Sequence, residues 1–527
     1  MGSVVTDNSI FSYRYLTMVN LITLGTELCS SAAFSYLPPL LLEAGFSESG
    51  MSTVMAMGPF LALFLLPVMG TSSDRCQSRF GRRRPYIAVL SLGIIVSLTL
   101  LPNTKLITAY FTPYFTPYFP EKQFGLIVLA ACVILLDFCS QVCYTPIESL
   151  LSDPCKTETQ RNRSFGIFSL MMSLGACLGY WIVSVNWSET VLGFYLGGHE
   201  RTLFSLLLIL FTFCFILSTY IARDPPLLDA SLEDIIEVNS ANPHTALNGK
   251  PVLKPANGST IASVPFMVSA TQKTLSYRVP SRICIRVKSM CSSLFACIPR
   301  PKIDLSPIKG TLEGIRTMPK AMKMLWMAHL MTSTAVMGFR LYFTDYMGES
   351  IFSGNPEAVD GSLVKRAYEE GIRMGSFGLL LHSIISAVFS LVIGAVITRW
   401  GAVRTYLFGM VLFTCATFVM LFMDGIVFTL LLASLTGFAN ATITTVPYTL
   451  LTGYHQKKEL YYQDSDDTGV HGKGADLALL DSAYILSEVI SSFAFGIIVE
   501  MTETTGAYIA CSFACGLVSC FMVLRIK

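Results

Sequence analysis

Arg79-Phe80-Gly81-Arg82-Arg83-Arg84-Pro85-Tyr86 and, much later, Arg399-Trp400-Gly401-Ala402-Val403-Arg404-Thr405-Tyr406 share one pattern. Each has an arginine, an aromatic ring, a glycine, a further arginine and a closing tyrosine, and each stands between two long apolar blocks. A second echo accompanies the first: Pro146 with Leu150-Leu151 matches Pro447 with Leu450-Leu451. Punctuation repeated at equivalent places implies an internal repeat, so the chain reads as two related halves.

Working outward from these stretches, apolar windows bounded by charge, Gly or Pro fall at 15–42, 51–70, 86–102, 124–151, 165–186 and 203–222 in the first half. In the second half they fall at 321–346, 375–397, 405–423, 426–453, 477–500 and 506–524. Most approach the roughly 20 residues that cross a bilayer as helix. Composition agrees: 52% of the 527 residues are apolar and only 14% charged, against about 25% charged in a soluble protein. Lys and Arg total 37 against 35 Asp and Glu, so there is no basic excess to attract nucleic acid. Segment 223–320, rich in Pro, Ser, Asn and basic residues, has no sustained period and cannot offset its ordering entropy by burial. The expectation is an all-α membrane protein of twelve transmembrane helices in two six-helix halves, 1–222 and 321–527, joined by a cytosolic linker, 223–320.

Basic residues set the expected orientation. Of 37, 29 lie in the termini and in the loops on the linker's side, while only Lys105, Lys122, Arg201, Lys365, Arg366 and Arg373 lie opposite. Both termini are therefore expected in the cytosol. The first apolar block carries Glu27 and is too long for a signal peptide, so it reads as the first span. None of the fifteen cysteines falls in an outward loop and no C-x-x-C pair occurs, which argues against disulfides and against a zinc site.

Charge inside a membrane costs several kcal/mol and needs a reason. Asp137 lies about 20 Å into its span at ~1.5 Å per residue. Gln141, Tyr144 and Glu148 follow at +4, +7 and +11, on one helical face. Such a stripe reads as the wall of a hydrated cavity, or else as a helix–helix hydrogen bond that only stabilises the bundle. Glu27, midway along the first span, is a second proton site or a structural partner for a buried donor. Glu488 takes a comparable depth in span 11. Arg340 and Asp345, toward the outer end of span 7, gate the outer mouth or reach the headgroups by snorkelling. Asp74 with Arg82, Arg83 and Arg84 forms a cytosolic latch, with Asp481 as its partner, or a plain topology anchor.

Parallel six-helix repeats are the architecture of major facilitator transporters, so alternating-access transport is expected. No metalloprotease helix, nucleophile elbow or phosphate loop is present. Neither an enzyme nor a cofactor is expected. The bilayer, a small solute and protons are the expected partners.

At these same residues the chain resembles the proton-coupled sucrose carriers, solute carrier family 45 and its plant relatives. The likeness runs through Ser73-Asp74 to Gly81-Arg82-Arg83-Arg84-Pro85-Tyr86-Ile87, and through Leu136-Asp137 to Pro146 and Leu150-Leu151-Ser152-Asp153. It continues through Phe343-Thr344-Asp345-Tyr346-Met347-Gly348 and Tyr368-Glu369-Glu370-Gly371-Ile372-Arg373-Met374-Gly375. The resemblance implies symport of sucrose, with glucose or fructose as further substrates, together with protons. It places the proton and the sugar hydroxyls at Asp137; the shared helical face puts Gln141, Tyr144 and Glu148 beside that site as further sugar contacts, and Arg373 is counted with the gate residues. Two departures stand out: Glu148 replaces a basic residue after the span-4 proline, and Phe343 replaces the first aspartate of a span-7 pair. A pH-independent facilitator, or a carrier of another solute on the same fold, is the alternative.

Overall fold

The computed structural model describes residues 13–74, 76, 80–115, 121–152, 158–222, 318–359, 361–423, 425–456 and 473–526. All but the last three residues of the expected linker lie outside them. Among the described residues the fold is carried by twelve long helices. In the first set these are α1 Leu21–Ala44, α2 Glu48–Asp74, α3 Arg84–Leu100, α4 Glu121–Ser152, α5 Glu158–Ser184 and α6 His199–Ile221. In the second they are α7 Lys320–Tyr346, α8 Leu363–Trp400, α9 Ala402–Met420, α10 Ile426–Gln456, α11 Lys473–Thr502 and α12 Gly506–Leu524.

These follow the apolar windows closely, with one large difference. The eighth helix begins at Leu363 rather than near 375, capped by Ser362, whose hydroxyl accepts the Lys365 amide at 3.2 Å. Its first turns carry Lys365, Arg366, Glu369, Glu370 and Arg373. Charge hid them from a hydropathy reading, although cap and propensity favour helix there. Ten of the twelve helices are long and apolar enough to cross a membrane by composition. The other two, α1 and α7, lead the two sets and carry interior charge: Glu27 in one, Arg340 and Asp345 in the other.

One packing rule serves both sets. α1 packs on α5 and α6, as α7 packs on α11 and α12; α4 packs on α2 and α3, as α10 packs on α8 and α9. The sets meet along α2–α11 and α5–α8, again equivalent pairs, with α1 against α7 between them. The repeated basic loops correspond too. Gly81 and Gly401 both take positive φ, 104° and 89°, a conformation that explains why the loops share a glycine.

Small residues set the closest approaches. A Cβ on Gly179 of α5 would lie 2.1 Å from Ser31 Oγ and 2.6 Å from the Leu28 carbonyl of α1. Between the sets, a Cβ on Gly496 of α11 would lie 2.1 Å from Ser52 of α2.

The end where α6 finishes and α7 begins is the linker end, and the end bearing residues 347–359 is the far end. At the far end the two sets close on each other. Ser35 and Ser376 hydroxyls lie 2.5 Å apart, Thr344 Oγ1 donates to the Ser35 carbonyl at 2.9 Å, and Lys365 Nζ is 3.1 Å from Glu43.

Candidate transport site

α4 runs unbroken through Pro146, and its polar stripe separates cleanly from its packing face. Leu136, Val142, Cys143 and Ile147 are buried in the core, whereas Asp137, Gln141, Tyr144 and Glu148 are each half-buried. The stripe turns toward the seam between the sets. Gln141 Nε2 donates to Glu488 Oε2 of α11 at 2.7 Å, and Tyr144 OH donates to Glu27 Oε2 of α1 at 2.6 Å. Asp137 rests against α2 at Gly58, where a Cβ would stand 2.3 Å from its Oδ2. Its charge is felt by Glu488.

Arg340 sits in the middle of this seam. Its guanidinium lies 3.9 Å from Glu27 Oε1, donates twice to the Tyr180 hydroxyl of α5 (3.3 and 3.2 Å), and lies 5.6 Å from the centroid of the Phe34 ring. At 7% exposure it does not reach the headgroups. The snorkelling reading of Arg340 is therefore corrected: α7 is interior here, and the side chain runs toward Glu27 of α1 and Tyr180 of α5. Partial desolvation over an aromatic face suits a guanidinium better than an ammonium. Glu27 thus accepts a hydrogen bond from Tyr144 and pairs with the Arg340 guanidinium.

The remaining expected residues fall into two groups. At the linker end, Glu148 lies within electrostatic reach of Asp481 of α11, whose Oδ1 accepts from Tyr448 OH at 2.7 Å. Arg83 donates to Ser73 Oγ at 2.6 Å, and Arg84 donates to the Thr219 carbonyl. These contacts fasten α2, α3 and α6 within the first set, and the hydrogen bond to Asp481 comes from Tyr448. Arg82 belongs to the same turn; the Asp74 side chain lies outside the described residues. At the far end, Asp345 is wholly buried and accepts from Tyr368 OH at 3.0 Å, while Arg373 pairs with Glu370 at 3.6 Å and is felt by His199 of α6.

Sequence reasoning did not find Tyr180 or Gly58. A lone tyrosine or glycine in an apolar window reads as packing, and only the facing helix reveals its use. Tyr342 is stacked face to face on Tyr508 at 4.1 Å and fully buried, so it offers no open ring face to a sugar. Phe34 and Tyr144 do reach the seam.

A twelve-helix bundle with an internal repeat and a charged seam between its halves defines a membrane transporter of the major facilitator kind, not an enzyme. Residues 19–364 match the profile described as Major Facilitator Superfamily. "Solute carrier family 45 member 3" of Mus musculus is 30% identical over 97% of this chain and 95% of its own. "Membrane-associated transporter protein" of Homo sapiens is 27% identical over 96% of this chain and 92% of its own. The human "Proton-associated sugar transporter A" is 23% identical over 94% and 83%. A crystal structure of the nucleoside transporter NupG superposes with a TM-score of 0.57 at 10% identity, covering 98% of both chains, which speaks to the fold alone. The chain belongs to the major facilitator superfamily and, within it, to solute carrier family 45. The resemblance seen in its loops and fourth span thus extends over nearly its whole length.

Proposed function

We propose that this transporter is a proton-coupled symporter of sucrose, and of glucose or fructose beside it, working by alternating access with both termini in the cytosol. One observation carries the coupling. Among the described residues the seam sets the carboxyl groups of Glu27, Asp137, Glu148, Asp481 and Glu488 against the guanidinium of Arg340. Intramembrane charge is costly, so such a seam closes most readily when protons have neutralised part of it. A relative carrying proton and sugar in its name supports the same reading.

In this cycle Asp137 takes the coupling proton, and sugar hydroxyls are bound by Asp137, Gln141, Tyr144 and Glu148. Glu27 is the second proton position and is released from or returned to Arg340 as the halves rock. Asp345 and Arg373 belong to the far-end gate. Asp74, Arg82, Arg83 and Arg84 hold the linker-end loop, and Asp481 faces Glu148 across that end.

The test is uptake of labelled sucrose into vesicles with and without an imposed pH gradient. Accumulation above the outside concentration only when the outside is acid is the expected result. Uptake that equilibrates at the same rate regardless of the gradient would make the protein a facilitator and overturn the coupling.

A further inference from the structure

At the far end, α2, α7, α8 and α12 bring a second group of acidic and phenolic side chains together. Glu48, the first residue of α2, accepts the hydroxyl of Tyr508 on α12, so this contact joins the two halves. Tyr508 is stacked on Tyr342 of α7. Asp345, one turn beyond Tyr342, is wholly buried; one of its oxygens accepts from Tyr368 of α8, and the other meets no hydrogen-bond donor among the described residues. Glu349 follows in the π-helical turn Met347–Ile351. With Glu48 it lines a cleft of about 340 Å³ whose wall includes the exposed residues Asn355 and Glu357.

The surrounding charges do not neutralise this group. From α11, Glu500 adds a further carboxylate near Glu48 and accepts the Ser49 amide at 2.9 Å. From α1, Glu43 faces Tyr368. Lys365 of α8 supplies positive charge, but its ammonium is engaged by Glu43 at 3.1 Å and by the Pro356 carbonyl at 2.8 Å, and stands 5.8 Å from the Tyr368 ring. Burial, with the Glu48 carboxylate beside it, pushes Glu349 up to about 7.

We infer that Glu48, Asp345 and Glu349 form a second proton-binding site, separate from the central seam, that shuts the far-end gate when protonated and releases it when ionised. The inference rests on the alternating-access reading above. Opening must draw Glu48 away from Tyr508 and bring water to Glu349, returning it toward an ordinary value of about 4.3. The closed state therefore binds this proton more tightly. Its advantage is fully present below about 4.3 and is lost as the pH rises through about 7. The proton comes from far-side water on closing and returns there on opening, so this site carries no net proton across the membrane.

The test needs no sugar. Ser376 is buried and bonded to Ser35 across the closed far end, so Ser376→Cys places a thiol that an impermeant maleimide reaches only when the gate opens. Labelling from the far side is taken relative to Asn355→Cys, at an exposed position of the closed state, which cancels the pH dependence of the thiol itself. The expected relative rate is several-fold higher at pH 8 than at pH 5.5. Glu349→Gln in this background should label slowly at both, and Glu48→Gln should move the midpoint to lower pH. An unchanged profile in both variants overturns the proposal. Asp137→Asn should keep the pH response. Its loss there would assign the titration to the seam, so failure of this site and failure of seam coupling are read apart.

Discussion

Glu27 of α1 and Arg340 of α7 face each other across the boundary between the two halves, carboxyl oxygen to guanidinium nitrogen 3.9 Å. The helices that carry them are counterparts in the internal repeat, and each is the less apolar leader of its set. Because the other oxygen of Glu27 accepts from Tyr144, one carboxyl group joins the polar face of α4 to the buried guanidinium of Arg340. Any rocking of the halves has to change the Glu27–Arg340 distance.

Removing one partner should therefore harm the protein more than removing both. Breaking a buried ion pair from one side costs roughly 3–5 kcal/mol; here the loss should be smaller, since Tyr180 still accepts from Arg340. Glu27→Gln is expected to lower the thermal midpoint of the detergent-solubilised protein, and Arg340→Gln added to it should restore part of the loss. Strictly additive losses would mean that the two side chains are not coupled.

Asp137→Asn keeps the size of a protonated carboxyl but cannot release a proton. It should abolish uphill, pH-driven accumulation while still allowing sugar-for-sugar exchange. Proton flux per sugar in reconstituted vesicles, corrected for protein amount, decides the matter. A variant that still accumulates sugar against its gradient would move the coupling proton elsewhere, to Glu27 first.

Gly58→Ala tests the same carboxylate without touching it. The added Cβ would overlap Asp137 Oδ2 and force that side chain from its seat. Transport per folded molecule should fall on the order of tenfold, about 1.4 kcal/mol in barrier. Gly166→Ala, whose Cβ meets nothing within 4 Å, should be silent. Equal activities of the two would show that the position of Asp137 does not matter.

The arginine loop can be separated from the seam. Arg83→Ala removes the 2.6 Å bond to Ser73, and Asp74→Asn removes the acidic residue that ends α2. Both should slow transport more than they reduce folded protein. Unchanged turnover per folded molecule would leave the loop as a topology anchor.

Orientation has its own check. A tag in 223–320 should be shielded from external antibody on intact cells, and one in 347–359 should be reachable where the protein is at the surface. The reverse pattern would invert the proposed orientation.

The helices were legible because a bilayer-spanning segment must be apolar along its length, and the repeated Arg-aromatic-Gly loops betrayed the two-fold arrangement. The turns before 375 were not, because a charged helix end lacks that signature. The α4 stripe was legible for a different reason: helical spacing alone puts Asp137, Gln141, Tyr144 and Glu148 on one face. What faces them was not legible. That Gln141 meets Glu488 and that Arg340 meets Glu27 and Tyr180 depends on packing between helices hundreds of residues apart, and no local pattern encodes it. The depth of Arg340 misled for the same reason, since distance along a span says nothing about whether lipid or protein surrounds it.

Every residue of α7 from Thr332 to Tyr346 is buried within the protein, which bears on how the chain is made. A helix that carries Arg340 and Asp345 and touches no lipid along that stretch gains little by leaving the insertion machinery for the bilayer on its own. Its neighbours α11 and α12 are synthesised well after it. During biogenesis α7 must wait, shielded, until they arrive. Assembly of the second half is then a late, all-at-once event, and truncation within α11 or α12 should strand a helix emerging far earlier in the chain.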